Sequence, residues 1–579
     1  MKNEQNGVIL PFRQKAEFYY RRGNDLLENR DTLHAIPMYR TACRMEPDNA
    51  DFHVALAQAL HVAQRYEESV AELLGSAPFP ELSQEALFGL ASNFMALEQF
   101  AMARQCAIRC IDKERTSHFS ELAQNMLALL NDEEELCYQI GLNDDEDVQM
   151  LEQLRAIKTQ QFNGREEEAL DALELLSSHY PTSSILDMEI AISLYARGEY
   201  VEAKQRLFNL FKRENKHVRA HCLMALILKA EGKSEEALEE TETILIDDEC
   251  SMEELAFAGT TFIELQLWER AQDALIRLLQ LSPFDREASH LLAYVFLRKK
   301  DRASAVELYQ TLVTIDERDT VAAYYLELAE HATYKRIYNA WRPLYDVTIS
   351  ELLARKRQIA ILLELEAEEL QNIAGEDKTV VPLLEWALFS FLMPKREAAI
   401  LLLARINSAE SERIFRRFMI STVHTDGDKQ LVMQALRAMK VQTPLTMYLG
   451  GEWQYGSFSS KLWPDHLPKA YENILRGILN YRPNQRTEDM PNLPEQTADV
   501  AARIFAVYVV SLGQKFPKIN KAQQEAMTVA FLMMALNAIE VEQTPYEELL
   551  AFHNVTQRRV DNAISKVFSH LKSEAEDEA

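Results

Sequence analysis

The stretch that decides the fold reads Met252-Glu-Glu-Leu-Ala-Phe-Ala-Gly-Thr-Thr-Phe-Ile-Glu-Leu-Gln-Leu-Trp-Glu-Arg-Ala-Gln-Asp-Ala-Leu-Ile-Arg-Leu-Leu-Gln-Leu-Ser-Pro283. Counting Met252 as position 1, small residues stand at 8 (Gly259) and 20 (Ala271), and large apolar ones at 11 (Phe262), 24 (Leu275) and 27 (Leu278). Apolar spacing of three and four marks two amphipathic helices. The small residues let the two approach closely, and the large ones fill the space to the next pair. Pro283 at position 32 ends the second helix, because its ring cannot continue the hydrogen-bond ladder. The stretch predicts a helical hairpin.

The same frame recurs up and down the chain. From Ala16 it gives Gly23, Leu26, Ala35, Tyr39, Ala42 and Pro47; from Met150, Gly164, Ala169, Leu173, Leu176 and Pro181. From Ser184 it gives Ala191, Leu194, Gly198, Tyr200, Ala203 and Leu207, and from Val218, Ala225, Leu228, Gly232, Ala237 and Ile244. Frames at Ala50, Gln84 and Arg286 are sparser but in register. Starts at 16, 50 and 84, and at 150, 184, 218, 252 and 286, are 34 residues apart. Such a period is the mark of stacked hairpins. The glycine near position 15, as at Gly164, Gly198 and Gly232, is expected to turn the chain. Residues 118–149 form a 32-residue unit poor in the pattern, and its acidic runs 132–135 and 144–147 read as solvated loop.

Over residues 16–335 this pattern resembles the tetratricopeptide repeat (TPR) family. The resemblance implies an all-α superhelical solenoid whose concave groove, lined by the first helices, docks a protein or peptide. Carried onto this chain, the groove positions are Tyr20, Asn24, Phe88, Met95, Phe162, Met188, Tyr195, His290, Tyr294 and Arg298. Mostly apolar and aromatic, they suit a hydrophobic peptide or helix. Tyr20 stands where the family's carboxylate clamp has its first lysine, so no clamp is expected.

Residues 336–443 read as one long helix over 347–371, then HEAT-like helical hairpins around Pro394 and around Thr425-Asp-Gly-Asp428. Residues 444–495 read as a β-hairpin about Gly450-Gly451, a helix over 467–480 and a polar linker. A small helical domain, 496–572, precedes an acidic tail, 573–579; residues 1–15 read as an N-terminal extension.

Within that last domain, Tyr546-Glu-Glu-Leu-Leu-Ala-Phe-His-Asn-Val-Thr-Gln-Arg-Arg-Val-Asp-Asn-Ala-Ile-Ser-Lys-Val-Phe568 is similar to the helix-turn-helix of sigma-factor region four and related bacterial regulators. Asn554 can take a left-handed turn and Thr556 can cap the next helix. The resemblance implies that Gln557, Arg558, Arg559 and Asn562 face DNA, with Lys566 near phosphate. His553 departs from it, standing where Leu is usual.

Charge separates the two ends. Residues 1–350 hold 60 acids and 36 bases, and 351–579 hold 30 and 26, of a total formal charge of -28. The first part should repel phosphate backbones and anionic membrane, which leaves DNA possible only through the C-terminal module. Only 16 Gly and 18 Pro in 579 residues argue against many-turned β architectures. Six cysteines without a Cys-x-x-Cys pair, no leader-like apolar run near Met1 and an apolar stretch of only eight residues at 529–536 point to a reducing cytoplasm and to no membrane span.

No catalytic, cofactor-binding or metal site is predicted. Gly232-Lys233-Ser234 resembles the end of a phosphate loop, but Ile227 replaces the first glycine and no strand precedes it. Cys106 with Cys110, and His217 with His221, share helix faces without a third ligand nearby. Two functions follow: a non-enzymatic protein-interaction scaffold, or a transcriptional regulator whose repeats sense a protein or peptide and whose C-terminal module binds DNA.

Overall fold

The computed structural model describes residues 15–577, apart from 77–81, 133–134, 138–139, 141, 143–145, 163–164, 394–395, 442–444, 450–451, 457–466, 482–489, 492, 495–496, 513–515 and 540–544. The chain divides into two compact units, one of residues 1–441 with 445–455, the other of 442–444 with 456–579.

In the first unit the repeat register is met at seven of its eight starts; the helix of the Met150 frame, Val148–Phe162, begins two residues early. Helices Ala16–Glu28, Ala50–Val62, Gln84–Ala96, Ser184–Ala196, Val218–Ala230, Met252–Glu264 and Arg286–Arg298 are each 13 residues long. Each packs against the helix that follows it, such as Thr32–Met45 after the first and Trp268–Leu281 after Met252–Glu264. The reason for small residues at position 8 is visible. A Cβ on Gly23 would lie 2.6 Å from the Tyr39 ring, and one on Gly259 would lie 2.8 Å from Leu275. Position 8 is hollow because position 24 of the same hairpin fills it.

The turn expectation needs correction. Among the described residues position 15 of the hairpins has positive φ, and it is glycine at Gly198 and Gly232 but not elsewhere, where Arg30, Gln64, Glu98, Gln266 and Lys300 sit at φ 54–66°; Gly164, at position 15 of the Met150 frame, lies outside the described residues. The geometry is a Schellman closure: Gln266 N–H donates to Ile263 O at 3.0 Å and Leu267 N–H to Phe262 O at 2.8 Å. Those bonds and the packing that follows hold a polar side chain in a conformation that costs it about 1 kcal/mol.

Helical hairpins continue past the repeats, through Val380–Phe389, Glu397–Ile406, Ala409–Ile420 and Asp426–Ala438. The single helix expected over 347–371 is two, Ile349–Glu364 and Ala367–Glu376. Leu365 and Glu366 are extended, and Arg405 donates to the Leu365 carbonyl that the break leaves open. The acidic run at 144–147 is also not all solvated. Glu146 is buried and accepts from Ser183 Oγ, while Asp147 accepts from the Tyr180 hydroxyl at 2.9 Å.

The array then returns on itself. Helix Thr32–Met45 packs against Arg302–Ile315, and Tyr66–Ser76 against Ala409–Ile420. Ile315 and Phe284 join the core of the first hairpin. Ion pairs line this seam: Glu68 accepts from Arg40 at 2.9 Å and from Arg286 at 2.8 Å, and Arg44 pairs with Glu317. Burial opposes the charge on Asp316, but Arg40 and Arg286 outweigh it and hold its pKa down at about 2. Strand Leu445–Leu449 of the β-hairpin packs on Ala409–Ile420, fastened by the buried Lys429, whose ammonium donates to Ser421 O and Tyr448 O at 2.5 Å.

The second unit is built about the apolar helix Lys521–Ala538, against which Lys469–Leu479, Thr497–Ser511, Tyr546–Phe552 and Gln557–Asp577 pack. Phe505 meets Phe531 edge-on, with ring centroids 5.2 Å apart. Between the last two helices Asn554 takes φ 49°. His553 has a structural reason for replacing an apolar residue: Nδ1 donates to the Glu525 carboxylate at 2.6 Å, and Nε2 meets the Tyr481 hydroxyl at 3.0 Å.

Candidate functional site

The ten groove positions do not share one environment. On the early repeats they stay partly exposed. Tyr20 lies between Tyr39 and Phe52, with centroids 6.1 and 5.0 Å away, and Asn24 accepts from the Tyr39 hydroxyl at 2.7 Å. Phe88 lies 6.0 Å from Phe119, and it and Met95 flank the core of their hairpins. Tyr195 is half-buried beside Tyr200, centroids 5.9 Å apart. Met188 has no exposed surface and packs in the core. The Phe162 side chain lies outside the described residues.

At the last repeat the same face is covered by the chain itself. After Thr320–His331 the chain forms the short helix Tyr334–Ala340 and then an irregular strap, 341–348, bent over 343–346, where Asp346 N–H donates to Leu344 O at 2.8 Å. Trp341 stacks on Tyr294 at 3.5 Å and 10°, and on His290 at 5.4 Å and 16°. His290 is fully buried. Its Nε2–H donates to Arg342 O at 2.7 Å and its Nδ1 accepts from the Tyr309 hydroxyl at 2.8 Å. Burial pushes its pKa down to about 4, so the ring is neutral at pH 7. Arg298 lies over Trp268 at 4.7 Å and over Tyr338 at 4.6 Å. Asp346 ties the strap onward, accepting from Trp386 Nε1 at 3.0 Å and from Ser390 Oγ at 2.6 Å.

Sequence reasoning missed the strap that covers His290 and Tyr294. The signal was present: Tyr334, Tyr338, Trp341 and Tyr345 crowd the segment where the 34-residue frame stops.

The other candidates have local partners. Cys106 and Cys110 are buried thiols, pushed up to about 12 and about 11 by burial. His217 caps its helix by accepting from Ala220 N–H at 3.3 Å, and His221 meets Glu240 at 2.6 Å and Asn215 O at 2.8 Å. Among the described residues no group of three or more His, Cys, Asp or Glu converges as a metal site would require, and no helix is long and apolar enough to cross a membrane. In the second unit Gln557, Arg558, Arg559, Asn562 and Lys566 are exposed on the first turns of Gln557–Asp577.

A family profile described as tetratricopeptide repeat matches residues 20–86 and 258–320, the first hairpins and the last. Within those two stretches the chain matches tetratricopeptide repeats. Over 248 residues it is 23% identical to the TPR repeat-containing protein YvcD of Bacillus subtilis (strain 168), across 41% of this chain and 49% of that protein. It therefore spans about half the length of the curated relative it matches. Among solved structures it is similar to TTC0263, a thermophilic TPR protein of Thermus thermophilus, at 16% identity and a TM-score of 0.27, covering 31% of this chain and 98% of that one. It is likewise similar to the TPR domain of P58(IPK), at 15% identity and a TM-score of 0.22, covering 54% and 97%.

Proposed function

We propose that this chain is a non-enzymatic protein-interaction scaffold that docks a protein or peptide on the first-helix face of its earlier repeats, between Tyr20 and Tyr195. One observation carries the reading: the equivalent face of the last repeat is already occupied by a peptide, the chain's own strap. That strap is non-helical and carries Trp341 and Tyr345. It is held by ring stacking on Tyr294 and by a backbone carbonyl accepting from His290. It is an internal example of what the face accepts. On the earlier repeats Tyr20, Phe88, Met95 and Tyr195 remain partly exposed for an external segment of the same chemistry. The buried thiols of the repeats suit a reducing cytoplasm.

The test is capture of a discrete partner by the full chain, compared with a Phe88→Ala plus Tyr195→Ala chain. The double variant should lose the partner while keeping its helical circular dichroism. Equal recovery by both would place docking elsewhere.

The regulator reading is favoured by a separate observation, the exposed Arg558 and Arg559 at the start of Gln557–Asp577. Fluorescence anisotropy of the full chain on mixed-sequence duplex at low salt tests it. Binding that Arg558→Ala plus Arg559→Ala abolishes supports DNA contact; no binding refutes it.

A further inference from the structure

Three first helices of the early repeats stand side by side: Gln84–Ala96 packs against both Ala50–Val62 and His118–Asn131. On His118–Asn131, Phe119, Leu122, Met126 and Leu129 recur at spacings of three and four, and all remain partly exposed. On Gln84–Ala96 the same register holds Glu85, Phe88, Ser92 and Met95, with Phe88 6.0 Å from Phe119. Each strip runs about 15 Å along its helix, and two strips side by side make an apolar floor wide enough for a helix. Methionine and phenylalanine on such a floor adapt to varied apolar partners.

One border of this floor is negative. Position 2 is Asp51 on Ala50–Val62 and Glu85 on its neighbour. Gln58 donates to Glu85 at 2.5 Å, but neither carboxylate forms an ion pair among the described residues. Glu17 and Glu253, at the same position of two other repeats, are paired: with Arg21 at 2.7 Å and with Arg219 at 2.9 Å. An acid in the first turn suits the helix dipole. The dipole does not explain why all three helices lack Lys and Arg, nor why residues 51–150 hold 18 acids and 5 bases. Uncompensated negative charge beside an apolar floor is complementary to a partner that is apolar on one side and cationic on the other.

We propose that this face docks a basic amphipathic helix. Its large apolar side chains lie on Phe88, Met95, Phe119 and Met126, and its Lys or Arg side chains reach Asp51 and Glu85. The proposal rests on the docking of a protein or peptide by the early repeats and names the chemistry of that partner.

Fluorescence anisotropy on the full chain tests it with three synthetic peptides of about 18 residues, five helical turns, alike in a Leu/Phe stripe and carrying Lys, Gln or Glu at every polar position. A fourth has the composition of the Lys peptide with the stripe scrambled. The Lys peptide should bind saturably, at least tenfold tighter than the Gln peptide and the scrambled one, and the Glu peptide should bind weakest. Raising NaCl from about 0.05 to 0.5 M should weaken the Lys peptide and leave the Gln peptide nearly unchanged. Asp51→Asn plus Glu85→Gln removes two of 90 acids and should weaken the Lys peptide about fivefold. Phe88→Ala plus Met126→Ala should weaken the Lys and Gln peptides alike, with helical circular dichroism kept. Equal binding of the Lys and Gln peptides overturns the proposal but leaves the docking face. Equal binding of the scrambled peptide, or Lys-peptide binding that Asp51→Asn plus Glu85→Gln leaves unchanged, overturns it as well, because general attraction to an acidic chain then suffices. Binding of no peptide also overturns it, and capture of a partner without a basic amphipathic segment would do so while keeping the scaffold reading.

Discussion

Helices Ser184–Ala196 and Arg286–Arg298 occupy the same place in the repeat, yet they end in different surroundings. Position 5 is Met188 in one and His290 in the other, and both are buried. Met188 is buried by the apolar core of its own hairpins. His290 is buried by Trp341 and Arg342, which arrive from outside the repeat. Aromatic residues elsewhere on the two helices, at positions 12 and 9, also differ: Tyr195 stays half-exposed beside Tyr200, while Tyr294 is flat under Trp341. A repeat position therefore does not fix what a residue faces. The length of chain that follows, and where it folds back, decides between an open face and a covered one.

The largest expected effect breaks the cover. Trp341→Ala removes the stack on Tyr294 and His290 and should destabilise the first unit by about 3 kcal/mol, read by chemical denaturation. Tyr195→Ala, at the open face, should cost well under half as much. Equal costs would mean that the strap adds nothing to the last repeat.

Acid attacks the same contrast from the covered side. A histidine whose pKa falls from about 6.5 unfolded to about 4 folded supports the native state above pH 6.5 and loses that support as pH drops through 4. The loss is on the order of 3 kcal/mol. His290→Gln should flatten stability between pH 6.5 and 4, whereas Met188→Leu, which changes no titratable group, should leave the slope alone. His53 has the opposite sign. Burial lowers its pKa, but hydrogen bonds to Cys43 and Glu72 raise it to about 10, so its contribution is present below pH 6.5 and lost as pH rises through 10. An alkaline loss should therefore track His53 in the seam, and an acid loss His290 under the strap.

Gly259→Ala probes what every repeat shares. Its new methyl meets Leu275, and the expected loss is about 1–2 kcal/mol in thermal or chemical denaturation. Gly23→Ala should cost more, because the ring of Tyr39 is rigid and held through its hydroxyl by Asn24. The smallest effect is a gain. Lys300→Gly, at φ 66°, should stabilise by about 0.5–1 kcal/mol by relieving the left-handed backbone. At Gly198, with φ 79°, this position already holds a glycine.

Legibility followed range. The seven helix starts at 16, 50, 84, 184, 218, 252 and 286 were readable, because positions 8, 11, 20 and 24 of one hairpin are local and repeat. The turn position was readable but its residue type was not. Glycine is the usual answer to positive φ, and here Schellman bonds and packing carry Arg30, Gln64, Glu98, Gln266 and Lys300 instead. The break at Leu365 was hidden, since Arg405, which receives the freed carbonyl, lies 40 residues on. His553 read as a flaw in an apolar pattern until Glu525 and Tyr481 supplied its partners.

The sequence alone determined the hairpin, its period, the all-α class and the acidic excess of the first 350 residues. These are set by side-chain size and charge at fixed short spacings, where covalent connection already brings the groups together. Only the tertiary structure decided which first-helix faces stay open, where the strap lies, and that Glu68 meets Arg286 and Arg44 meets Glu317 across 218 and 273 residues. Those pairs depend on how small rotations accumulate from hairpin to hairpin. No local pattern records that sum.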